Sequence, residues 1–531
     1  MGNTMADVLI RNGKVIDGSG SPGVVQDVLL EKNRIVEIGH LGDVQAGRVI
    51  DAAGMVVCPG FIDIHSHVDA THTFFPETDS FAAQGITTVV TGNCGFSDAP
   101  KSQAGIEQAS AIMGEAARLT PFSEWDSFGS YLDFITRNGV TLNVFPLVGQ
   151  GTIRTKVMGY SAERPDEDQI EQMQELVIQC MEEGAGGLST GLIYSPGSFS
   201  FTDELIEVTR PVGKRGGIYF SHVRGEAETL LDAIAEEITI GKQTGAAVQH
   251  CHFKAMYPRN WDKAARGLEM IDAACADGID MTADMYPYTA GSSGLIFFLP
   301  QWAQEGGIAD ILSRVADPTT RAKMAKDMDG DGVLRVDDWS MVMIPNSANP
   351  AHIGRTVAEM AADESKSAQE WVFDAILETK GYISCIMYSM SEDNLKMEMR
   401  HPRLMFGTDG IGLPFEGPMA VGAPHPRNFG TYPRFFGKYV RQEKVIPLEE
   451  AVWKATGFPA QKLRLKERGL LRKGYKADLV IFNPDTILDT SDYIHPYQRP
   501  VGIEAVFING VLVMDHGVHT KARPGVVTTW E

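Results

Sequence analysis

Three features of the chain predict an α/β fold built on a (β/α)8, TIM-like barrel. Short β-branched runs alternate with amphipathic stretches along the middle of the chain, the two ends carry matching strand–Asn-Gly–strand segments, and metal-ligating residue types recur where predicted strands stop. Strand–helix alternation of this kind builds parallel sheets. The doubly wound open sheet is the alternative, but no Gly-rich dinucleotide fingerprint follows the first strand.

The predicted barrel strands are VVCPGFIDIH (56–65), GITTVVTGN (85–93), TLNVFPLVG (141–149), GAGGLSTGLI (184–193), GGIYFSH (216–222), AAVQHCH (246–252), GIDMTADMY (278–286) and RLMFGTD (403–409). Between them, residues 166–184, 225–243 and 260–278 carry apolar residues at helical spacing. The interval from about 290 to 400 is too long for one crossover helix and predicts an insertion before the last barrel strand. At the ends, DVLIRNGKVID (7–17) and VFINGVLVMDHG (506–517) read as hairpins, since Asn-Gly supplies the two positive-φ residues of a type I′ turn. With the strands at 27–39 and 476–484 they predict one small β domain assembled from both termini. The expected domains are therefore 1–58 with 465–531, and a barrel over 59–464.

Composition limits the partners. A formal net charge of −22 on 531 residues argues against nucleic acid and anionic membrane surfaces, and means that an anionic substrate needs a local basic anchor. No apolar run approaches the roughly 20 residues of a membrane span, and MGNTMADVLI has no export-signal pattern. Six scattered cysteines do not make a disulfide framework in a chain this long, so a reducing cytoplasm is expected. Oligomeric state, including a homo-oligomer, is left open.

In such barrels the chemistry sits at the C-terminal ends of the strands. Those ends hold His65 and His67, Cys94, His222, His252 and Asp409; four of only 13 histidines fall there. His-x-His on a strand turns both imidazoles to one side. Imidazole and thiolate donors suit Zn2+ better than Mg2+ or Ca2+. Cys94, between two glycines where a strand has just ended, is then a ligand and a candidate bridge between two metal positions. Cys251 is its nearest rival, but alternation turns it from the face of His252. Cys58, Cys180, Cys275 and Cys385 read as buried free thiols.

PGFIDIHSH, QGITTVVTGNCG, GLSTGLIYSPG, SHVRGE, DMYPYTAGSSG, FGTDG, HPRNFGTYPR and KGYKADLVIFNP occur in this order over residues 7–527. The chain in this respect resembles the amidohydrolase superfamily and, more narrowly, the N-acyl-D-amino-acid deacylases (D-aminoacylases). The resemblance implies a barrel beside a β-sandwich made from both termini. It implies one tight zinc on Cys94, His222 and His252, and a weaker or vacant second position on His65, His67 and Asp409, with Cys94 bridging. It also implies that Tyr286, Ser292 and Arg427 bind the substrate carboxylate, with Tyr194 and Lys254 near the substrate. The chain departs from many relatives at Gln150, Phe253 and Val68, which is expected to alter substrate preference or local hydrogen bonding.

The reaction so implied is hydrolysis of an N-acyl-D-amino acid by metal-activated water, with Asp409 as general acid/base and Arg427 as a bidentate carboxylate clamp. Related cyclic amide or ureide hydrolysis is the closest rival, and a catalytically silent scaffold of this fold a more distant one. DMDGDGVLRVDD (327–338) matches a calcium-loop template at several positions. The following WSMVMI reads as a strand rather than an exiting helix, so a solvated acidic turn is expected.

Overall fold

The computed structural model describes residues 6–113, 118–329 and 335–529, which form a mixed α/β fold. Its largest sheet has nine strands and draws on both ends of the chain: Val518–His519, Val511–Asp515, Ile503–Ile508 and Leu479–Phe482 from the C-terminal side continue into Val56–Pro59, Ala6–Val15, Val24–Glu31 and Arg34–Gly39, and Ala46–Asp51 also pairs with Ala6–Val15. The halves meet where Leu479–Phe482 runs antiparallel to Val56–Pro59, Leu479 opposite Pro59. Period-two alternation divides its faces. Val57, Leu479, Ile481 and Phe507 pack into a core of the sheet's own, whereas Val56, Cys58, Val480 and Phe482 join the main core.

Only one of the two Asn-Gly pairs near the chain ends is a hairpin turn. Asn509 and Gly510, at φ +49° and +78°, join Ile503–Ile508 to Val511–Asp515 as a type I′ turn requires. At the N-terminus the expectation fails: Ala6–Val15 is one continuous strand, and its register with Val24–Glu31 shifts between Ile10 and Gly13. Asn12 takes φ +60° and is held there by Asp27, which accepts its N–H at 3.0 Å, and by Asp51 at 3.0 Å. Gly13 does not follow it to positive φ, so the chain bulges instead of reversing.

The predicted strand 56–65 also divides. Val56–Pro59 belongs to the nine-stranded sheet, and after Gly60 the segment Phe61–Asp63 pairs in parallel with Ile86–Thr91. Gly60 permits this change of partner because a Cβ there would collide with the Thr87 side chain. From Phe61 onward, parallel strands follow in sequence order: Phe61–Asp63, Ile86–Thr91, Asn143–Pro146 continuing past Leu147 into Val148–Gly149, Gly187–Gly191, Ile218–His222, Ala247–His250, Met281–Met285 and Leu404–Phe406. The last returns to the first: the Asp409 N–H donates to the His65 carbonyl at 2.7 Å, and the His67 N–H to the Gly410 carbonyl at 2.7 Å. Ile62, Ile64, Val90, Phe145, Phe220, Cys251 and Met405, from these strands and the residues just after them, form one buried apolar cluster.

The three predicted helices lie at Glu167–Glu182, Leu230–Thr244 and Lys263–Ala276. The first starts at Asp166, whose carboxylate accepts from the Gln169 N–H at 2.8 Å, and it buries Met173, Val177, Cys180 and Met181. Residues 291–387 contain a separate three-stranded sheet, Gly291–Gly294, Ser384–Met387 and Val342–Met343, with a hydrophobic cluster of its own around Leu295, Phe298, Trp371 and Phe373. The centre of the acidic turn 327–338, residues 330–334, lies outside the described residues. After it comes a short turn, Trp339–Met341, capped by Asp338, and then Val342–Met343. Among the described residues no helix is long and apolar enough to cross a membrane.

Candidate metal centre

The sequence around Cys94 is built for an unusual backbone. Past Ile86–Thr91 the chain turns through Gly92 at φ +75°, Cys94 at +53° and Gly95 at +78°. A Cβ on Gly95 would lie 2.7 Å from the Gly191 backbone nitrogen, so glycine lets this turn press against the neighbouring strand end. The Asn93 side-chain amide donates to the Ser66 and Val90 carbonyls at 3.1 and 3.0 Å, tying the turn to the first strand. His252 and Asp409 also adopt left-handed backbone, at φ +38° and +48°. Such conformations cost of order 1–3 kcal/mol each for residues other than glycine and gather where the surroundings hold a side chain in a set position.

All six predicted metal-site residues converge there. The buried Cys94 Sγ lies 3.3 Å from His65 Nε2, 3.5 Å from His222 Nδ1 and 3.7 Å from His252 Nε2. His252 Nε2 and His222 Nδ1 are 2.8 Å apart. Asp409 Oδ1 stands 3.1 Å from His67 Nε2 and 3.5 Å from His65 Nε2. Two donor groups result, Cys94–His222–His252 and His65–His67–Cys94–Asp409, which share one sulfur. Around a tetrahedral zinc, bond lengths of about 2.0–2.3 Å separate neighbouring donors by roughly 3.3–3.6 Å. The sulfur–nitrogen distances fit that spacing, and the His222–His252 contact is tighter.

The electrostatics favour neutral imidazoles beside an anion. Burial, reinforced by His252 and Lys254 respectively, pushes His222 and His252 well below the usual imidazole pKa. Burial would raise the Asp409 carboxyl, but Arg427, then His252 and His67, outweigh it and hold Asp409 well below the carboxylate range. Burial pushes the Cys94 thiol well up, and Asp409 adds to the rise, so the protein's own groups disfavour a thiolate there. A bound cation reverses that preference.

Two carboxylates behind the histidines were not singled out in the sequence. Glu226 Oε1 lies 3.0 Å from His252 Nδ1 and 2.6 Å from Lys254 Nζ, and its Oε2 lies 3.9 Å from His222 Nε2. Asp284 Oδ1 lies 3.3 Å from His65 Nδ1 and accepts the His252 N–H at 2.8 Å. Each carboxylate lies beside ring nitrogens turned away from Cys94. Glu226 is close enough to orient the His252 ring, whose Nδ1 also lies 2.7 Å from Lys254 Nζ, whereas His65 Nδ1 and His222 Nε2 make no hydrogen bond. Glu226 sits four residues after His222 in SHVRGE, and Asp284 ends the run MTAD; an acid near a strand end was the available signal for both. Glu226→Gln is expected to weaken metal binding by about 10- to 100-fold, measured by competition with a chromogenic chelator; unchanged affinity would remove Glu226 from this role.

Tyr194, Lys254, Tyr286 and Ser292 line a cleft with His222, His252, Glu226 and Asp409. Arg427 lies behind Asp409, its Nη1 2.6 Å from Asp409 Oδ2 and its guanidinium 5.1 Å from the centre of the Tyr286 ring. The expected carboxylate clamp is thus already engaged through one nitrogen. The three departures lie elsewhere: Gln150 is buried and donates to Ser200 at 2.8 Å, while Val68 and Phe253 sit in the main core. Of the remaining cysteines, Cys58, Cys180, Cys251 and Cys385 are buried and Cys275 only partly so. Cys251 is packed in a buried apolar cluster, yet it also lies close to His65 and Asp284.

The amidohydrolase family profile matches residues 48–197 and 309–514. The chain is 34% identical to the D-aminoacylase of Alcaligenes xylosoxydans xylosoxydans, over 98% of this chain and 97% of that one. The same organism's N-acyl-D-glutamate and N-acyl-D-aspartate deacylases are each 34% identical, over 98% of this chain and 96% and 95% of theirs. Among solved structures, a D-aminoacylase with a binuclear metal centre superposes with a TM-score of 0.83 at 33% identity, covering 99% of this chain and 100% of its own. The N-acyl-D-glutamate deacylase of Bordetella bronchiseptica, complexed with zinc and a phosphonate mimic of the tetrahedral intermediate, gives 0.83 at 31% identity, over 98% and 99%. The chain therefore belongs to the amidohydrolase family and, within it, to the D-aminoacylase group of metal-dependent amide hydrolases.

Proposed function

We propose that this cleft hydrolyses the amide bond of N-acyl-D-amino acids, releasing a carboxylic acid and a free D-amino acid. The observation that carries the reading is the position of Cys94 Sγ, within 3.3–3.7 Å of His65, His222 and His252 at once. Cys94, His222 and His252 would hold one zinc tightly, and His65, His67 and Asp409 would complete a weaker second position with the same sulfur. Zinc so held supplies a Lewis acid and lowers the pKa of bound water to about 7. Asp409 takes the water proton on Oδ1, since Arg427 occupies Oδ2, and delivers it to the departing amine. Tyr286 and Ser292 donate hydrogen bonds to the substrate carboxylate. Arg427 adds charge and a free N–H edge, and Lys254 and Tyr194 bound the same space.

The same reading takes the eight parallel strands as a (β/α)8 barrel over residues 59–464, with the insertion at about 290–400. The nine-stranded sheet is then the main wall of a β-sandwich formed by 1–58 and 465–531. Six free cysteines support a reducing, cytoplasmic setting. A panel of N-acyl-D- and N-acyl-L-amino acids, assayed with and without a chelator, tests the proposal. Chelator-sensitive hydrolysis of the D series supports it, whereas cleavage of a hydantoin or dihydroorotate in preference would overturn it. Arg427→Lys is expected to raise KM for an N-acetyl-D-amino acid about tenfold, with metal content retained, because an ammonium keeps the Asp409 contact but not a planar fork. An unchanged KM would remove Arg427 from carboxylate binding.

A further inference from the structure

The carboxylate anchors stand on two separate segments of the chain. Tyr286 directly follows the strand Met281–Met285 and Ser292 lies in Gly291–Gly294, whereas Arg427 opens the helix Arg427–Arg434. We propose that His425 is the positioning residue that joins these segments and holds Arg427 in register with Tyr286 and Ser292, an inference that rests on the carboxylate-binding reading of those three residues. The Arg427 backbone N–H donates to His425 Nδ1 at 3.0 Å, and His425 Nε2 stands 2.8 Å from the Ala290 carbonyl oxygen. A carbonyl only accepts, so Nε2 carries the ring proton; a backbone N–H only donates, so Nδ1 is bare. One neutral tautomer satisfies both bonds. The planar ring is then a short, rigid link between positions 135 residues apart in sequence, ending two residues from Ser292.

The surroundings keep that ring in place. His425 is buried and packs edge-on against Tyr288 and Tyr493, with centroids 5.2 and 5.1 Å away and each pair of planes at 85°. Burial, with Arg427 adding to it, holds the imidazole well below its usual pKa, neutral as the two bonds require. The Arg427 N–H is one of the donors that a helix start leaves without an intrahelical partner, and His425 is where it goes. Other ties between the two segments are longer or more distant. The Tyr288 hydroxyl is 3.4 Å from the Pro426 carbonyl, and Arg434, at the far end of the helix, donates to the Pro287 carbonyl at 2.7 Å. Register matters here because Arg427 serves two partners. Its Nη1 is held by Asp409, so its remaining N–H edge has to meet a carboxylate that also reaches Tyr286 and Ser292. A misplacement of about 1 Å can cost on the order of 100-fold in such an arrangement.

The test compares kcat/KM of the zinc-loaded enzyme for the N-acetyl-D-amino acid it hydrolyses best with kcat/KM for the matching carboxamide, which lacks the anion. Two conservative variants, checked for retained zinc, each keep one bond: glutamine places an amide N–H near Nε2, and asparagine an amide oxygen near Nδ1. His425→Gln and His425→Asn are each expected to lower the preference for acid over carboxamide about tenfold, mainly through KM of the acid. His425→Phe, which keeps a ring but neither bond, should lower it further. A purely structural residue would slow both substrates alike, and an unmoved ratio would overturn this inference while leaving amide hydrolysis intact. Failure of both conservative variants to fold with zinc would overturn it as well. In an Arg427→Lys background, His425→Gln should move the ratio by less than about threefold, because both changes act through the same guanidinium. A full tenfold effect there would show that His425 does not work through Arg427. Hydrolysis of no N-acyl-D-amino acid by the wild type would overturn the reaction reading and this inference with it.

Discussion

Asp409→Asn should lower kcat by about 100- to 10 000-fold, the range ascribed to a positioned general acid/base, while the Cys94–His222–His252 group keeps its metal. The amide preserves the shape of the carboxylate but cannot accept a proton at Oδ1. The substitution has a second consequence: Arg427, itself buried, loses its counter-charge at Oδ2. Removing one partner of a buried ion pair costs about 3–5 kcal/mol, so the single variant should also melt earlier. The two effects separate in the double variant Asp409→Asn with Arg427→Met, which removes both charges. Its stability should recover part of the loss and its turnover should not. Recovery of kcat alongside stability would show that Asp409 matters for holding Arg427 and not for moving a proton. A single variant with full metal content and wild-type kcat would exclude the proton-transfer role outright.

The donors of the site were legible in the sequence because two local rules place them. Alternation turns His65 and His67 to one side, and strand–helix succession brings Cys94, His222, His252 and Asp409 to corresponding strand ends. The structure gathers all six. The glycines flanking Cys94 were a readable sign that its strand had ended, and the structure adds that the turn there takes left-handed backbone. What escaped was non-local or two-sided. Asn12–Gly13 and Asn509–Gly510 look the same as dipeptides; they differ because Asp27 and Asp51, distant in sequence, hold Asn12 in a bulge. The break at Gly60 depends on Thr87, which packs across from it. Glu226 and Asp284 escaped because a buried carboxylate behind an imidazole has no spacing rule of its own. The Arg427–Asp409 pair escaped because no local pattern marks two residues 18 apart across a strand-end loop as ion-pair partners.

Cys94→Ala should abolish hydrolysis and metal binding at the Cys94–His222–His252 group, the largest effect expected of any single substitution. Every other donor belongs to one of the groups bracketing this residue, whereas Sγ belongs to both, so its removal leaves neither complete. Two imidazoles, His222 and His252, would remain in the tight group, fewer than the three protein donors of a catalytic zinc site. Backbone strain permits a control. Cys94 holds φ +53°, a conformation that costs a residue with a Cβ roughly 1–2 kcal/mol and glycine almost nothing. Cys94→Gly is therefore expected to lose the metal as fully as Cys94→Ala while its apo form unfolds at a higher denaturant concentration than the alanine apo form. If wild type and both variants are loaded with cobalt, only wild type should show a near-ultraviolet sulfur-to-metal charge-transfer band. A Cys94→Ala protein that keeps its full zinc complement and its activity would remove the shared sulfur, and with it the proposed assembly of the site. The stability difference between the two variants stands apart from that outcome, because it comes from the turn itself: the chain bears strain at residue 94 to hold a thiol between four strand ends.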